Sequence, residues 1–232
     1  MKHVLLASTA IIIVLLSGAA VNAEVVGDVG RVLKNAYGTP PDAAKSPKRL
    51  ADQVMFQELL ETANESAVDV KLIDGSLLTL GAGCRVRLDE FVFDPGGDSK
   101  ALLNIGAGAL RFVTGNMPAG GVSFSTPTAT IVIRGTNLRI YVKPNGNTLV
   151  ILDKGLARVT AKASGQSADL VSGDSILVTS ITLEPVNRDV ELVGDAVVDF
   201  GWKSSNIKND QSERQGFDHN RNSGLSSGES GS

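Results

Sequence analysis

From residue 24 to about residue 178, apolar side chains recur at every second position in short runs cut by Gly, Pro, Asn and Asp. Val68, Val70 and Leu72 alternate with Asp69 and Lys71 before the turn Asp74-Gly75-Ser76. Leu78, Leu80, Ala82, Cys84, Val86 and Leu88 continue the same phase. Ala129, Ile131 and Ile133 form another run, and Leu138, Ile140 and Val142 the next. Pro144-Asn145-Gly146-Asn147 then marks a hairpin. The runs at residues 149–152 and 157–161 are expected to pair around Asp153-Lys154-Gly155. A period of two with regular turn punctuation predicts an all-β fold: a short-stranded β-sandwich, a barrel or a short β-solenoid. Such strands bury one face and leave the other wet.

Residues 48–63 dissent. They are rich in Leu, Ala, Gln, Glu and Met, so propensity favours a helix, yet Leu50, Val54 and Leu60 make no clean stripe.

Both ends of the chain differ from its middle. Lys2 and His3 precede an apolar run over residues 4–16, and small residues lead to Ala23. Val21 and Ala23 occupy the −3 and −1 places of a signal-peptidase site, predicting cleavage after Ala23. The run is shorter than the roughly 20 residues that cross a bilayer, and no later run is long enough, so the mature chain is not expected to span a membrane. Residues 24–183 are expected to form the β domain. Residues 184–202 read as an extension that either adds a final strand or lies across the domain, and residues 203–232, mostly Ser, Gly, Asn and charge, as a disordered tail.

Charge and composition narrow the chemistry. Losing Lys2 leaves 21 Lys and Arg against 25 Asp and Glu, a net charge of −4. That balance argues against nucleic acid, which needs clustered cations. Only His3 and His219 supply imidazole, one in the leader and one in the tail, so triad chemistry and His/Cys zinc sites lack a folded ligand. No phosphate-binding Gly loop appears, and no cofactor is implied. Asp89 and Glu90, neighbours on an extended strand, are expected to face opposite ways, which suits neither a glycosidase pair nor a calcium site. Turn chemistry accounts for Asp94-Pro95-Gly96-Gly97-Asp98 without a metal. Cys84 is the single cysteine, and its place on the apolar face predicts a buried spacer. No catalytic, metal or cofactor residue is assigned.

The stretch from Gly27 to about Val178 resembles the FecR domain, named after the ferric-citrate regulator of Gram-negative bacteria. The matching pieces are Gly27-Asp28-Val29-Gly30, Asp74-Gly75-Ser76 with Leu78-Thr79-Leu80-Gly81, residues 88–95 and 108–115, Thr126-Pro127, Ile133-Arg134-Gly135-Thr136, Gly155, and Gly173-Asp174. Their chemistry is structural in character. Asp74-Gly75 suits a tight turn, and Gly135 and Gly155 suit a bulge or close backbone approach. Arg134 is expected to turn inward and anchor on a partner such as Asp74, with a ligand-binding arginine as the alternative. The resemblance also favours strand over helix at residues 54–56 and 67–73, with turn or a short helix between. It implies a periplasmic or secreted module that receives a signal from an envelope protein by contact. The anti-sigma segment and membrane helix of full regulators are not expected here. Binding a small ligand or polysaccharide is the alternative.

Overall fold

In the computed structural model, residues 24–185 are described, apart from residue 96. The expected signal peptide with its cleavage at Ala23, the tail, and all but the first two residues of the 184–202 extension lie outside the described residues.

Among the described residues every regular element is a strand. In chain order they are β1 (Val25–Leu33), β2 (Ala36–Thr39), β3 (Ser46–Pro47), β4 (Gln53–Met55), β5 (Leu59–Thr62), β6 (Ala67–Leu72), β7 (Leu77–Leu80), β8 (Arg85–Val92), β9 (Lys100–Val113), β10 (Val122–Ser125), β11 (Ala129–Val142), β12 (Thr148–Ala161), β13 (Ser167–Val171), β14 (Ser175–Val178) and β15 (Leu183–Pro185). All fifteen belong to one hydrogen-bonded sheet, antiparallel except where β10 lies parallel to β9. Among the described residues no helix is long and apolar enough to cross a membrane.

The sheet is bent double by its three 14-residue strands. The later half of β9 pairs with β7 and β11, whereas its earlier half pairs with β8 and β10. β11 and β12 divide in the same way. Limb I therefore runs β4, β1, β6, β7, late β9, late β11, early β12, β14, β15. Limb II runs β3, β2, β5, β8, early β9, β10, early β11, late β12, β13. Each long strand turns its corner at a glycine in the left-handed region: Gly108, Gly135 and Gly155. No other residue adopts that backbone freely.

The limbs close over one core. Phe112 of limb I meets Phe124 of limb II edge to face, ring centres 5.2 Å apart. Around them pack Leu78, Leu110, Ile131, Ile133, Leu138 and Ile140, all fully buried. This is the expected alternation: inward Ile131 and Ile133 are separated by outward Val132, and β8 repeats exposed Arg85, buried Val86, exposed Arg87, buried Leu88.

Several expectations need correction. Residues 149–152 and 157–161 are not a hairpin. They are two halves of β12, and Asp153-Lys154-Gly155 is its corner. Residues 129–134 and 137–142 likewise form one strand. The β reading of residues 48–63 holds, but the part left as turn or short helix contains β5, whose Leu60 and Thr62 are buried. Ala82 is exposed because the chain turns between Gly81 and Cys84, breaking the alternation there. A bulge between Leu88 and Glu90 overrides the expected opposition of Asp89 and Glu90. Asp89 bonds Arg87 and Asn104 on the outer face, and Glu90 is exposed.

Candidate functional site

Eight of the family-pattern residues gather into two hydrogen-bonded corners: Asp74, Gly75, Ser76, Gly135, Thr136 and Gly155 in one, Thr126 and Pro127 in the other. The first begins at the β6–β7 turn. Asp74 is fully buried, and its carboxylate accepts the Ser76 backbone N–H at 3.1 Å and the Ser76 hydroxyl at 2.5 Å. Ser76 Oγ in turn accepts the Gly115 N–H at 2.8 Å. The Asp74 carbonyl accepts both N–H donors of Asn116, backbone and side chain, at 2.9 Å. Gly115 lies so close over the turn that a Cβ there would strike Asp74 and Ser76 backbone atoms. One residue back, Thr114 Oγ1 accepts the Thr136 N–H at 3.1 Å. Thr136 and the Gly135 carbonyl press against Gly155, where a side chain would collide with both. Asp74, Gly75, Ser76, Gly135, Thr136 and Gly155 thus form one seam from the β7 turn to the β11 and β12 corners.

Thr126 and Pro127 belong to the second corner, at the β10–β11 turn. The Thr126 hydroxyl accepts the Ala129 N–H at 2.9 Å and the hydroxyl proton of buried Thr148 at 2.8 Å. Thr128 Oγ1 stands 2.9 Å from Thr148 Oγ1 and 3.2 Å from the Val178 carbonyl. Gly146 of the β11–β12 hairpin packs on Pro127. Lys162 closes the corner, its ammonium on the Thr126 carbonyl and the Ser125 hydroxyl.

Arg134 joins neither corner, against expectation. Ile133 points inward, so the pleat turns Arg134 out, and the residue is exposed. Asp74 takes its bonds from the Ser76 turn instead. On the outer face, Arg134 stands near the β12–β13 pair formed by Arg158 and Asp169, whose bonds are 2.7 and 2.8 Å. Arg158, with Arg134 adding to it, holds the Asp169 carboxyl below the usual range against a smaller opposing cost of desolvation. Leu156 and Val171, directly paired across the strands, and Val132 are exposed on the same face.

Other polar groups lie on the outer surface of limb II. Lys45, 2.7 Å away, is the main force holding the Glu61 carboxyl low, and Arg85 helps at 3.0 Å while partial burial opposes both. A shallow open cleft of about 350 Å³ is lined by Pro41, Gln57, Arg87 and Asp89. Among the described residues no group of three or more His, Cys, Asp or Glu is placed to hold a metal.

Sequence reasoning missed a buried ion pair. Lys48 and Glu58, with side chains 9% and 0% exposed, meet at 2.6 Å. Lys48 also donates to the Gln53 carbonyl at 2.7 Å, and Glu58 accepts the Met55 N–H at 2.9 Å. The pair thereby clasps both ends of the segment carrying β4. It lies beneath Gly38, where any Cβ would overlap the Glu58 carboxylate and the Lys48 stem. A helix-like composition concealed it, because nothing in residues 48–58 marks one Lys and one Glu as inward. Cys84 is buried as expected, and burial pushes its thiol up to about 12.

Comparison with known proteins returns the family described as FecR protein, matched over residues 58–158. The span runs from the end of the Lys48–Glu58 clasp into late β12. No curated protein matches. Two crystal structures of a "putative anti-sigma factor" from Parabacteroides distasonis are similar, with 19% and 20% identity and TM-scores of 0.47 and 0.46. Each match covers 56% of this chain and 59% of the other, so the chain spans under two thirds of those proteins.

Proposed function

We propose that this chain, which carries a FecR domain across residues 58–158, is an exported signalling component that works by protein contact rather than by catalysis. The FecR match carries the reading: domains of this kind are implied to receive a signal from another envelope protein. The chemistry of the site supports it. Asp74, Ser76, Thr126 and Thr148 direct their hydrogen bonds into the two corners, and the one thiol is buried with its proton held tightly. The surface offered to a partner is sheet face, with Arg134 standing among exposed Val132, Leu156 and Val171. The proposed location is the periplasm or the medium, reached through the leader ending at Ala23.

The test is site-specific photo-crosslinking in the native envelope, with the photoreactive residue at Val132 or Leu156 and a control at Thr79 on limb I. One discrete adduct from the limb II positions, absent with Arg134→Glu and absent from the control, is the expected result. Adducts from all three positions alike, or from none, overturn the reading. Edman sequencing of the mature protein should begin at Glu24. The cleft at Pro41, Gln57, Arg87 and Asp89 favours a second reading, a small polar ligand or saccharide. A rise in Tm with a sugar panel that Asp89→Ala removes would favour it.

A further inference from the structure

Gln57, which lines the cleft on limb II, holds a left-handed backbone with φ of 60°, a conformation costly for a residue with a Cβ. Strain of this kind persists where the surroundings over-determine it, as at ligand clamps. Here the Gln57 N–H donates to the Leu88 carbonyl at 3.2 Å, and the next residue, Glu58, is locked on buried Lys48. Arg87 and Asp89 leave β8 on one face, where Asp89 accepts from Arg87 and from the Asn104 amide, the latter at 3.2 Å. Pro41 completes the lining from the loop that Lys45 ties to Glu61. The groups of the cleft are thus fixed by the fold itself.

Their chemistry selects a ligand class. Arg87 and Asp89 neutralise each other, so an anion entering the cleft meets a carboxylate and a cation meets a guanidinium. The donors and lone pairs they have left lie beside the Gln57 amide, which both donates and accepts. A sugar hydroxyl also does both, and carries no charge. Pro41 and half-buried Leu59, opposite Arg87 on β5, offer apolar surface to the C–H face of a ring. A volume of about 350 Å³ is at the small end of ligand pockets, suited to a single ring.

The sheet register carries the same chemistry outward. Level with Arg87 on successive strands stand Asn104, Ser125, Thr130, Thr160 and Ser167, all on the outer face of limb II. Each strand places a hydroxyl or an amide in one row, at steps of about 4.8 Å. That step is close to the length of a sugar ring in an extended glycan.

We infer that the cleft seats one ring of an uncharged glycan, whose chain continues across limb II along the row from Asn104 to Ser167. The inference rests on the saccharide reading of the cleft given above, to which it adds the charge class and the polymer. It does not depend on a protein partner at Arg134.

Calorimetric titration of the full mature chain tests it. The probes are glucose and N-acetylglucosamine, their linear hexamers (maltohexaose, cellohexaose and chitohexaose), and hexagalacturonate as the charged counterpart. At least one neutral hexamer should bind about tenfold or more tighter than its own monomer, because linked contacts act together. Thr130→Val should abolish that gain and leave the monomer unchanged. Gln57→Gly suits the left-handed backbone, so it should keep or raise the Tm without ligand while weakening monomer and hexamer alike about tenfold. Equal affinity for hexamer and monomer overturns the inference and leaves the saccharide reading standing. No binding of any neutral sugar overturns both. Tighter binding of hexagalacturonate than of every neutral hexamer, or wild-type affinity in Gln57→Gly, also overturns the inference.

Discussion

Asp74 shows how much one side chain holds. It fixes its own turn through Ser76 and, through Ser76 Oγ and its own carbonyl, the exit of β9. Removing it leaves buried donors without an acceptor, so Asp74→Ala should lower unfolding free energy by about 3 kcal/mol in a urea titration. Asp74→Asn, which keeps an acceptor, should lose less. Glu58→Gln should cost about 3 kcal/mol as well, because it strands the buried Lys48 charge. Cys84 should resist thiol reagents at pH 8 in the native protein and react fully in denaturant, given a thiol pushed up to about 12. At this scale the sequence was uneven to read. Asp74-Gly75-Ser76 declared itself, since Asp-Gly before an apolar alternation is a turn on local grounds. The inward anchor expected of Arg134 is contradicted by the sequence itself, since the alternation of Ala129, Ile131 and Ile133, unbroken up to Gly135, already turns it outward.

The strands were legible wherever alternation was unbroken and misleading where it changed limb. A corner glycine inside a strand has the same local chemistry as a turn glycine. Asp153-Lys154-Gly155 therefore resembled a hairpin, although β12 bends there and continues as one strand. Gly155→Ala would force a Cβ onto the Gly135 carbonyl at a left-handed backbone position, and a loss of about 3 kcal/mol is expected by chemical denaturation. The Lys45–Glu61–Arg85 ladder joins the 40s loop to β5 and β8. Its carboxyl is held low in the folded chain, so its stabilisation is complete above the unfolded value near 4.5 and drains as pH falls through the depressed folded value. The Tm advantage of wild type over Glu61→Gln should be present at pH 7 and vanish at strongly acid pH.

For the molecule as a whole, the all-β class followed from periodicity, but the folded-over sheet did not. Its pairings β1 with β6, β5 with β8 and β10 with β9 join segments that no local pattern connects. With one core spanning both limbs, thermal unfolding should be a single transition by fluorescence and circular dichroism alike. Two separated transitions would mean that the limbs melt apart.

Three strands that each serve both layers also set how such a protein can be inherited. The chain also passes back and forth between the limbs, with β1 and β4 in limb I and β2, β3 and β5 in limb II, so no contiguous gene fragment encodes one limb or a closed interior. Fusion to new partners is therefore open only at the ends or in surface loops, and the unit passes between architectures whole.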